Sequence, residues 1–106
     1  MSKVPVPADS PRGGLLSLGS VNTAHAHPNE SSPIKRGVFV RQRLLCQELA
    51  PPPPDIDTTP PGLDPKLTTR ERFAKHTASA ACNGCHQFID DVGFGFERFD
   101  GIGAYR

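Results

Sequence analysis

The sequence predicts a mainly α, small, loop-rich domain with two to three helices, a proline-rich strap and little or no sheet. Three observations carry this expectation. Helix-start signatures stand at Ser32-Pro33 and at Thr68-Thr69-Arg70-Glu71. An apolar stripe at helical spacing follows the first of them. Between and around these segments, 12 prolines and 10 glycines in 106 residues break the chain into turns and loops.

Residues 1–14, MSKVPVPADSPRGG, combine prolines and glycines with no periodic apolar pattern and read as a flexible lead-in. Residues 15–106 read as one module, since a chain of this length holds a single small core. Leu15, Leu16 and Leu18 form an apolar cluster that runs into Val21 to Pro28, as a short helix or as an extended segment. His25 and His27 lie in this stretch. Two close imidazoles ahead of a proline turn suggest metal binding; solvated loop residues are the alternative, since positions two apart lie about 200° apart on a helix and on opposite faces of a strand.

Ser32 is placed to cap a helix whose first residue, Pro33, loses nothing by lacking an N–H. The spacing predicts a helix from Pro33 to about Leu49. Ile34, Val38, Leu45 and Leu49 share one stripe, flanked by Val40 and Leu44, and Lys35, Arg36 and Arg43 fall mostly off it. Phe39 and Cys46 sit at the edge of that face, with Cys46 expected as a free, half-buried thiol. The run Pro51-Pro52-Pro53-Pro54 then stops the helix and opens a polyproline II connector over residues 50–66, a stiff surface strap or a ligand for a polyproline-binding partner. Thr68 to Glu71 fits a capping box and starts a short helix through Phe73 and His76. After residue 86, Phe88, Ile89, Val92, Phe94, Phe96, Phe99, Ile102 and Tyr105 alternate with glycines, as the lining of a flat apolar ligand's pocket or as a plain glycine-rich core. The acidic residues there, Asp90, Asp91, Glu97 and Asp100, lack the spacing of a calcium loop.

The chemistry concentrates in Cys82-Asn83-Gly84-Cys85-His86, which spells C-x-x-C-H, the attachment signature of a c-type haem. Two thiols three positions apart on a helical turn can each add to one haem vinyl group while the adjacent imidazole meets the iron. Cys82 and Cys85 are the expected thioether anchors and His86 the proximal iron ligand. A covalent haem c would also supply apolar surface to a chain whose own core is marginal. Met1 is the sole methionine, so no methionine lies downstream to bind the other face of the iron. His25, His27 and His76 are the candidate distal ligands; a ligand from another domain, or a five-coordinate iron, is the alternative.

A structural zinc site is the competing reading, with Cys46, Cys82, Cys85 and His86 as a Cys3His set. It uses all three cysteines, but the adjacent Cys85 and His86 bind one tetrahedral ion awkwardly. A redox dithiol, or a scaffold module with no redox centre of its own, completes the alternatives. Twelve basic against eleven acidic residues give a net charge of +1, so nothing points to nucleic acid or an anionic membrane. No run approaches the roughly 18 apolar residues of a membrane span, and residues 1–20 carry no apolar core of an export signal. Haem is attached to this motif outside the cytoplasm in most bacteria. The expectation is therefore a periplasmic or otherwise exported module of a longer precursor.

Taken in order, RGGLL, SSPIKRGVFVRQRLLCQ, the proline run, TTRERFAKHT, CNGCH and IDDVGFGFERFDGIGAYR resemble the planctomycete-type cytochrome c-like domain of unknown function, which occurs in large exported bacterial proteins. The resemblance spans Arg12 to Arg106. It implies a cytochrome c-like fold, haem attachment at Cys82, Cys85 and His86, and neighbouring domains of the parent protein or a separate redox partner as the partners. It implies electron transfer rather than catalysis by this module alone, as the redox part of a possible oxidoreductase. The family pattern reads Ile-Asp-Pro after the haem motif, whereas this chain has Ile89-Asp90-Asp91, a departure that bears on the stiffness of the turn expected there.

Overall fold

The computed structural model describes residues 3–106. Among these residues the chain is mainly α, with four α-helices and no sheet; its extended pairing is limited to isolated antiparallel bridges, Ala26 with Ser31 and Phe99 with Tyr105. A single 3-10 turn, Leu15–Ser17, leads into α1, Gly19–Ala24. Asn22, buried in α1, donates from Nδ2 to the carbonyls of Leu16 and Leu18, each at 3.0 Å, and so fixes turn and helix together.

The Ala26–Ser31 bridge delivers Ser32 to the start of α2, Pro33–Phe39. Ser32 caps it as its sequence requires: its hydroxyl accepts from the Lys35 amide at 3.3 Å, and Pro33 takes the first position. The helix does not run to Leu49 as the apolar spacing predicts. After Phe39 it widens into a π-helical turn, Val40–Leu44, and Cys46 adopts a left-handed φ of 53° that ends the helical path before the proline run. The widening rotates the later leucines off the expected stripe. Leu44 and Leu45 are exposed, and so is Cys46, which the sequence had placed at a half-buried boundary. The face that is buried is Pro33, Arg36, Gly37 and Val40, at the i, i+3, i+4, i+7 spacing of a helix face.

After the strap come α3, Thr69–His76, and α4, Ala80–Phe94, so that the count of helices exceeds the two to three expected. The capping box forms as read: the Thr68 hydroxyl accepts from the Glu71 amide at 3.2 Å, and the Thr68 amide donates to Glu71 Oε2 at 2.8 Å. Ser79 caps α4 by accepting from the Cys82 amide at 3.3 Å. The Ile89-Asp90-Asp91 stretch lies inside α4 and makes no turn.

Helices α2 and α4 cross with their backbones in contact. A Cβ on Gly37 would lie 2.3 Å from the Ile89 carbonyl oxygen, and one on Gly93 would lie 1.9 Å from that of Pro33. Only glycine permits this approach. The crossing is secured by a buried cation. Arg36 donates to the carbonyls of Phe96 (3.1 Å), Phe99 (2.7 Å), Asn22 (3.3 Å) and Asp100 (2.6 Å). Glu97, 3.7 Å from that guanidinium, balances its charge and accepts from Ser31 at 3.0 Å and Arg106 at 2.8 Å. Burial lowers the pKa of Arg36 and Glu97 opposes the shift. The aromatic tail therefore serves the core. Ile89, Phe94 and Phe99 are buried, as is Phe73, whereas Phe88, Ile102 and Tyr105 are exposed. Among the described residues no helix is long and apolar enough to cross a membrane.

Candidate cofactor site

Cys82, Cys85 and His86 occupy the first two turns of α4, where three- and four-residue steps bring side chains onto one face. That face borders a cavity of about 430 Å³, within the range of roughly 300–1,000 Å³ usual for small-molecule and cofactor sites. The opposite wall is the Ile34–Val38 side of α2, and the roof is the strap, through Leu49, Pro51 to Pro53 and Ile56. Phe73 and Ile89, both buried, and the small Ala81 also line it. The lining is mostly apolar. Of the eight large apolar tail residues, Ile89 reaches this cavity; the pocket role expected of the aromatics falls to α2 and the strap.

Both cavity cysteines are free thiols, Cys82 half-buried and Cys85 exposed. His86 is oriented from behind: its Nδ1 lies 2.8 Å from Oδ1 of Asp90, one helical turn on. With Nδ1–H donating to that carboxylate, Nε2 is the nitrogen left to accept a proton or bind a metal. Burial raises the pKa of Asp90, and its hydrogen bond to His86 and the His86 charge offset that rise only in part. Asp90 was legible as a member of an acidic cluster but not as a partner of His86. The signal was its i+4 spacing, which has meaning only once α4 is known to continue past the motif.

The three other histidines divide. His76, the last residue of α3, lines the cavity with its ring centre 6.4 Å from that of His86 and the two planes at 84°. His27 also lines it; burial, then Lys35, lowers its pKa, with Glu30 opposing. His25 does not line it. Its Nδ1 lies 2.9 Å from the Val21 carbonyl and its ring packs 4.1 Å from Phe39. Cys46 is likewise absent from the cavity wall. Among the described residues no group of three or more His, Cys, Asp or Glu side chains is arranged to hold a metal ion, so the Cys46, Cys82, Cys85, His86 quartet is not assembled.

Fold and site thus define a small helical domain whose paired cysteines and histidine open onto an apolar cavity. Residues 12–106 match the family model PSCyt3, described as a protein of unknown function (DUF1588), and the chain belongs to that family. No curated protein and no solved structure matches it.

Proposed function

We propose that this domain carries one covalently attached haem c and acts as an electron-transfer module within a larger exported protein. The observation that supports it best is that Cys82, Cys85 and His86 share the α4 face that borders a largely apolar cavity. The residues fit the group. Two free thiols at this spacing are the donors that thioether attachment requires, and an imidazole whose Nδ1 is engaged by a carboxylate presents Nε2 as ligand. The name of the family, with its reference to a cytochrome, agrees with this reading.

When bound, the haem would supply one-electron transfer at its iron. The chain's own residues set the conditions. Cys82 and Cys85 hold the group in place. Asp90 keeps the His86 ring in one orientation and one tautomer, with Nε2 left free to bind. Ile34, Val38 and the prolines of the strap exclude water from one side of the cavity and lower its polarity.

The test is a pyridine haemochrome spectrum with metal analysis on the chain produced alongside haem-maturation machinery. Stoichiometric covalent haem is the expected result. Stoichiometric zinc without covalent haem would establish the structural-metal alternative instead.

A further inference from the structure

We propose that His76 is the second axial ligand, binding the iron from the side opposite His86 so that the centre is bis-histidine and six-coordinate. The inference rests on the haem reading above and adds the identity of the residue on the other face. Metal–imidazole bonds run about 2 Å, so two imidazoles on opposite sides of one ion hold their ring centres roughly 6 Å apart. His76 and His86 stand at 6.4 Å. The hydrogen bond of the His86 ring goes to Asp90, so the two histidines are not paired with each other through that nitrogen.

The placement is built by local structure. The capping box at Thr68 and Glu71 fixes where α3 starts, and Phe73, 2 % exposed, pins its inner face. The amide of buried Thr77 donates to the Phe73 carbonyl at 2.9 Å and closes the helix just after His76. Two residues later Ser79 caps α4. Two capped helices joined by a turn this short leave the His76–His86 distance little freedom, the preorganisation that a ligand pair needs. The other histidines are placed less well. His25 is committed to the Val21 carbonyl and to Phe39, away from the cavity. His27 enters the cavity from the loop before α2.

The experiment is the absorption and EPR spectrum of the full chain with its covalent haem, compared across His76→Ala, His27→Ala and His25→Ala. The wild type is expected to be low-spin and six-coordinate, and His76→Ala high-spin, returning to low-spin when free imidazole is added. His76→Met, which offers a thioether in the same place, should restore a low-spin centre at a higher potential. His27→Ala and His25→Ala should keep the wild-type spectrum. A high-spin wild type, or a low-spin His76→Ala protein with the spectrum lost in His27→Ala, would overturn the assignment. Failure of the haem reading itself is told apart by the haemochrome assay, which would then show no covalent haem in any variant.

Discussion

The two sides of α2 meet opposite fates. Its Arg36–Gly37 side is sealed by protein: four backbone carbonyls and one carboxylate surround the guanidinium, and α4 lies against the glycine. Its Ile34–Val38 side is the more apolar in sequence yet lines the cavity. A chain this small gains little by leaving aliphatic surface uncovered. One half of the core is closed by protein, and the other borders the cavity that the proposed haem would occupy.

Variants on the two sides should behave differently. Arg36→Ala removes the buried cation that satisfies those carbonyls and leaves Glu97 with the half-exposed Arg106 as its remaining counter-charge, so a loss of about 3–5 kcal/mol in denaturant unfolding is expected. Gly93→Ala drives a methyl into the Pro33 carbonyl and should cost about 1–3 kcal/mol or more by the same measurement. Thr68→Ala, which unmakes the capping box, should cost about 1 kcal/mol. That box also carries a pH signature. Its backbone and side-chain hydrogen bonds from Thr68 lower the pKa of Glu71, so its contribution is present above the unfolded-state pKa of glutamate and is lost as pH falls through the lower folded value. The stability difference between wild type and Thr68→Ala should therefore shrink in acid. Smallest of all is Ile34→Ala in chain made without haem maturation: less than about 1 kcal/mol, against the 2–5 usual for such a truncation in a packed core. In haem-loaded chain the same variant should cost more, and equal costs in the two forms would erase the contrast between the two sides.

Local signals were legible where the physics is local. Ser32 with Pro33, and Thr68 with Glu71, each satisfy the first free amides of a helix within four residues, so the sequence shows them directly. The end of α2 was not legible, because the π-helical turn and the left-handed Cys46 change the register that a regular wheel assumes. Ile34 and Val38 were rightly read as an apolar face, but what that face meets depends on tertiary packing. Arg36 was placed mostly off the apolar stripe. Its role appears only when the C-terminal turn, closed by the Ile102 and Ala104 amides donating to Asp100, brings carbonyls from 60 or more positions away. The motif residues of the site were nameable from spacing alone; the strap as its roof and Asp90 as the support of His86 required the fold.

The most direct test of the central claim is the intact mass of the denatured chain after production with haem-attachment machinery. The account predicts a gain of one haem per chain, kept in Cys46→Ala and abolished when Cys82 and Cys85 are both replaced by Ala. An unmodified wild-type mass, or a haem adduct that survives the loss of both cavity cysteines, would contradict it.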